Sequence, residues 1–131
     1  MRSPSFQSLY GPGYADELEG FLRDLDPELN SLVQTFAYNG LWAREGLSLR
    51  EKSVVTLSAL VANGRTEQIS LHMRGFLHSC GNAEDLRNIL IHLIGYCGFP
   101  PVLTAFRVLR DVLNENRLPG EPPAERIGPT G

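Results

Sequence analysis

The chain has 131 residues, a mass of 14.5 kDa, a net charge of −3 and a pI near 5.6, which suits one domain with a real core and excludes nucleic acid as the main partner, because no basic run is long enough to track phosphates. The longest apolar run, Val54 to Ala62, is about half of a bilayer span, and the opening "MRSPSFQSLYGPGYADE" has no continuous apolar stretch of the signal-peptide kind. The two cysteines, Cys80 and Cys97, form neither a CxxC pair nor a disulfide framework, so the sequence reads as a cytoplasmic protein with no membrane partner.

Residues 1–14 hold Pro4, Gly11, Pro12 and Gly13 and read as a tail, as does the proline- and glycine-rich stretch 118–131. Between them, over 15–117, apolar spacing of i, i+3, i+4 recurs and period-2 alternation never persists, which predicts a single compact all-α domain of about six helices. The first, 15–25, would turn Leu18, Phe21, Leu22 and Leu25 inward. The second, 27–44, opens at Pro27 behind Asp26 and carries Leu29, Leu32, Val33, Phe36, Ala37 and Leu41. The third starts at Ser48 with Glu51 three residues on, a capping-box pattern, and ends at Asn63-Gly64; being apolar nearly all round, it is expected at the centre. The fourth, 65–79, points Ile69, Met73, Phe76, Leu77 and Cys80 inward. Asn82 caps the fifth, with Leu86, Ile89, Leu90, Leu93, Ile94 and Cys97 on one stripe. Pro100-Pro101 opens the sixth, carrying Val102, Ala105, Phe106, Leu109 and Val112.

The fourth helix begins with "GRTEQISLH", unexpectedly polar after so apolar a run. At 100° per residue, Arg65, Gln68 and His72 fall within about 60° of one another, beside the inward stripe. Glu67 points away from that row. His92 sits between Ile89 and Tyr96 at the edge of the fifth helix's stripe. Two interpretations fit: a solvated helix start with boundary histidines, or a pocket wall. No HxxxH or HExxH spacing is present, so no metal site is expected.

The stretch Leu41 to Leu113 carries Trp42-x-Arg44-x-Gly46-Leu47, an apolar helix ending in Asn63-Gly64-Arg65, then Glu67 and His72, "EDLRNIL", and "YCGFP" ahead of Ala105-Phe106-Arg107. In this order it resembles the carboxymuconolactone decarboxylase family. The redox branch of that superfamily, the alkylhydroperoxidase D-like proteins, has a CxxC whose cysteines would fall at Arg65 and Gln68, with His72 as its histidine. Arginine and glutamine form no thiolate, so thiol-peroxidase chemistry is not expected.

The resemblance implies a helical subunit that associates into trimers or hexamers. It also implies a cofactor-free decarboxylation of a small carboxylated lactone or keto acid from aromatic-compound breakdown. On that basis His72 would be the general acid, Arg65 the anion holder and Glu67 an orienting group. Gln68, Trp42, His92, Tyr96 and Phe99 would bind substrate or wall the pocket. Two departures from the family pattern, Gln68 in place of an acidic residue and Glu45 in place of a proline, leave the substrate open. They also leave open a tailoring reaction on a polyketide-like lactone, such as an isomerisation or lactone opening, or a non-catalytic oligomeric binding role.

Overall fold

The computed structural model describes residues 2–115, and no strand occurs among them. The helices are α1 (Pro4–Tyr10), α2 (Pro12–Leu25), α3 (Pro27–Leu32), α4 (Leu49–Ala62), α5 (Thr66–Ser79), α6 (Ala83–Cys97) and α7 (Phe99–Glu115). α3 continues without a break into a π-helix, Val33–Trp42. The stretch 118–131 lies outside the described residues. No described helix is long and apolar enough to cross a membrane.

The caps that set these boundaries are chemical. Asp26 accepts a hydrogen bond from Leu29 N at 2.9 Å and starts α3 behind Pro27. Ser48 and Glu51 close a reciprocal capping box at α4, and Asn82 with Asp85 does the same at α6. Gly98, at φ 83°, supplies the left-handed residue that ends α6 and lets α7 start at once.

α4 to α7 enclose the larger core, built from Leu57, Val61, Ile69, Met73, Phe76, Leu86, Leu90, Val102, Ala105 and Leu109. The expected inward stripes of α5, α6 and α7 lie on it. The central helix is α5 rather than α4: α5 packs on α1, α4 and α7, whereas α4 buries one stripe, Ser53, Leu57 and Val61, and leaves Val55 exposed. An apolar circumference permits burial on all sides, but the neighbours of α4, namely α5, α6 and α7, cover only one of them. What lets α5 be covered twice is Gly75, where an added Cβ would stand 3.0 Å from Leu9 Cγ and 3.1 Å from Tyr10 Cε1.

The N-terminal segment corrects the sequence reading most. Residues 4–10 are not a tail but helix α1, with Phe6, Leu9 and Tyr10 buried in a second core together with Ala15, Leu18 and Tyr38. Polar ties hold it. Ser3 N donates to Gln34 Oε1 at 2.9 Å, Arg2 Nε donates to Glu19 Oε1 at 3.0 Å, and Ser79 Oγ donates to Leu9 O at 3.0 Å. Because α1 covers this side, α3 and the π-helix turn Asn30, Gln34 and Tyr38 inward. Leu29, Leu32, Phe36 and Leu41, expected inside, face out, as do Phe21 and Leu25 of α2.

Candidate functional site

His72 lies midway along α5 against the second core. Its ring stacks on Trp42, with centroids 5.7 Å apart and planes 9° from parallel, and meets Tyr10 at 6.0 Å. Trp42 stacks in turn on Tyr38 at 5.6 Å, and the Tyr10 and Tyr38 hydroxyls share a hydrogen bond of 2.6 Å. Tyr38 and Trp42 are four residues apart on the π-helix, a rare geometry often found at functional sites. The free end of that helix is held by Lys52, whose Nζ donates to Trp42 O at 2.7 Å and to Arg44 O.

As a residue His72 is half-buried, yet its Nδ1 is sealed from solvent and has no hydrogen-bond partner. Burial pushes its pKa down from 6.5 to about 4, so the ring is neutral at pH 7. Burial likewise raises the Tyr10 hydroxyl far above the usual phenol range and Tyr38 to about 12. The cluster is therefore uncharged, largely dry and rich in rings.

Of the other expected site residues, Trp42 joins His72 directly. Arg65 does not extend the row: at φ −88° and ψ 76° it is the N-cap of α5, outside the helix, exposed and without an ion-pair partner among the described residues. Glu67 and Gln68 are exposed on the first turn. His92 and Tyr96 meet each other at 5.2 Å on α6, and His92 borders a groove of about 380 Å³ that also contains Arg50, Ser58, Asp85 and Asn88. Tyr96 is 79% and Phe99 62% exposed. The chain thus gathers Trp42 with His72 and His92 with Tyr96, as two separate groups. No three histidine, cysteine, aspartate or glutamate side chains among the described residues converge to hold a metal ion.

Sequence reasoning missed Tyr10 and Tyr38. Tyr10 falls in a stretch that Pro4, Gly11, Pro12 and Gly13 make read as a tail, although Phe6, Leu9 and Tyr10 carry a helical i, i+3, i+4 spacing. Tyr38 lies off the apolar stripe that periodicity selected.

Residues 27–111 match the carboxymuconolactone decarboxylase family, a span running from α3 into α7. The chain belongs to that family. A carboxymuconolactone decarboxylase-family relative, the 4-carboxymuconolactone decarboxylase of Acinetobacter baylyi, is 26% identical over 94 residues, covering 72% of this chain and 70% of its own. The nitrosuccinic acid decarboxylase npaB of Metarhizium robertsii is 26% identical over 104 residues, covering 77% of this chain and 73% of its own. The family match begins after α1 and α2, so Tyr10 reaches the site from outside the matched span.

Proposed function

We propose that this carboxymuconolactone decarboxylase-family protein is a cofactor-independent carboxy-lyase. Its substrate would be a small acid whose departing carboxylate leaves its electrons on a conjugated acceptor. The observation that carries the proposal is His72, a neutral, enclosed imidazole stacked on Trp42 and flanked by Tyr10. Both named relatives support this substrate class. An unsaturated lactone carbonyl and a nitro group can each accept the electron pair released when the bond to carboxylate breaks. Carboxymuconolactone, from aromatic-compound catabolism, is the leading candidate. The nitro-acid relative favours a second version, in which the same site acts on another activated acid.

In this mechanism the C–C bond to the carboxylate breaks, CO₂ leaves, and the electron pair moves into the acceptor. A proton then returns to carbon. Aromatic walls suit the step, since expulsion of water strengthens each remaining polar contact. An anionic substrate beside His72 favours the charged ring, because an opposite charge within a few ångströms raises a base's pKa. The acid is thus loaded by substrate binding. Arg65, at the uncapped start of α5, would hold a carboxylate, and Glu67 and Gln68 would line the approach.

His92, Tyr96 and Phe99 would complete the site from a neighbouring copy in a trimer or hexamer. Supporting this is the amount of large apolar surface left outside, with Phe21, Leu25, Leu32 and Phe36 on α2, α3 and the π-helix and Ile91, Tyr96, Phe99 and Leu103 on α6 and α7. The test is CO₂ release and absorbance change from 4-carboxymuconolactone and from nitrosuccinate. His72→Ala should lose about 10²–10⁴-fold in rate, the usual contribution of a positioned acid–base group. A folded protein that turns over neither acid, or a variant as active as the parent, defeats the proposal.

A further inference from the structure

Two buried side-chain polar atoms lack a hydrogen-bond partner among the described residues, and they are His72 Nδ1 and Ser53 Oγ. Buried polar groups are almost always paired, so two orphans on facing helices require an explanation. Ser53 is 0% exposed and begins the buried stripe of α4 that Leu57 and Val61 continue, where an alanine would fit at no polar cost. α4 and α5 pack against each other around a short turn. Counted from that turn, Ser53 and His72 stand within about one helical turn of each other along the axis. A second link places them at the same end of the site. Lys52, next to Ser53 in the chain, donates to Trp42 O, and the Trp42 ring is the one His72 stacks on.

The Ser53 hydroxyl is also uncommitted where comparable hydroxyls are not. Thr35, Ser58, Ser79 and Thr104 each donate back to the carbonyl four residues earlier, at 2.8, 2.8, 2.9 and 3.2 Å. Ser53, more deeply buried than any of them, does not.

We propose that the Ser53 hydroxyl is the hydrogen-bond partner of His72 Nδ1, a positioning residue that keeps the ring with its Nε2–H turned to the substrate. This rests on the decarboxylase reading for its catalytic meaning, though not for its geometry. A hydroxyl suits the task because it both donates and accepts. It donates to Nδ1 while the ring is neutral, and accepts from Nδ1–H once the ring takes up a proton. A carboxylate in its place could only accept and would hold the proton permanently. In the pair the short serine side chain would rotate toward the ring, the kind of adjustment by which catalytic hydrogen bonds tighten.

The experiment is ¹⁵N NMR of histidine-labelled protein, free of ligand at neutral pH, with the three histidines assigned by substitution. Expected is a single Nε2–H tautomer for His72, with Nδ1 shifted as an acceptor, in the parent and in Ser53→Thr, and a mixture of tautomers in Ser53→Ala. An Nδ1–H tautomer in the parent, or an unchanged His72 spectrum in Ser53→Ala, overturns the assignment. The parent spectrum alone decides if the alanine variant fails to fold. In turnover, Ser53→Ala should lower kcat about 10–100-fold at nearly constant KM, part of the full acid–base contribution, and Ser53→Thr should recover most of it. Parental kcat in Ser53→Ala defeats the proposal. A tautomer that depends on Ser53 in a protein that turns over neither test acid leaves the pair standing and removes the substrate assignment.

Discussion

The two cores of this chain are built differently. The one enclosed by α4 to α7 is aliphatic, with a single aromatic residue, Phe76, fully buried in it. The one between α1, α2 and the π-helix is dominated by rings and laced with polar bonds, among them Tyr10–Tyr38 and Ser3–Gln34. The first holds the fold together through area removed from water, and the second sacrifices some of that area to fix where particular groups stand. The difference explains why the candidate site lies where it does: a dry imidazole needs rings around it, and rings need hydroxyl and amide partners to be held at set angles.

The contrast can be broken first from the aliphatic side. Phe76→Ala should cost about 3–5 kcal/mol in urea unfolding, as full truncation of a buried phenylalanine does, and should leave little native protein near physiological temperature. A loss under about 1 kcal/mol would mean that this core is not the main source of stability. The aromatic side responds to acid. His72 has a folded pKa near 4 against 6.5 unfolded, so below pH 6.5 the unfolded chain binds the extra proton. The contribution is complete above that pH and disappears as pH falls toward 4, by up to about 3 kcal/mol. Stability measured from pH 7 to 4 should therefore fall less steeply in His72→Gln, and parallel slopes would show that the ring is not desolvated. The smallest effect sharpens the comparison. Tyr38→Phe leaves the Tyr10 hydroxyl without its partner and should cost about 1–2 kcal/mol.

How far the sequence revealed this arrangement differed by region, for a physical reason. On α5, α6 and α7 the apolar stripe and the buried stripe coincide, both lying on the larger core. On α2, α3 and the π-helix they diverge: Phe36 is 67% exposed while Gln34 is fully buried. Periodicity identifies the apolar face of a helix, and that face need not be the one the rest of the chain covers. His72 and Trp42 were legible through the resemblance to the decarboxylase family. Their contact was not, since it depends on the π-helix, and neither was Tyr10, whose short helix is framed by Pro4, Gly11 and Pro12 as a loop would be. Arg65 fell out of its expected row because the helix starts one residue later than the spacing suggested.

The π-helix between Val33 and Trp42 has a further consequence, for insertions and deletions. Its hydrogen bonds span five residues instead of four, so its register is set by the number of residues in the segment as much as by their identity. Removal of one exposed residue there, such as Asn39, would shift that register and turn Trp42 around the axis relative to His72. Substitutions at the same outward positions would leave the indole in place. In this part of the chain, length should be guarded more closely than sequence, and the environment of the lone tryptophan, read by its fluorescence, would report the difference.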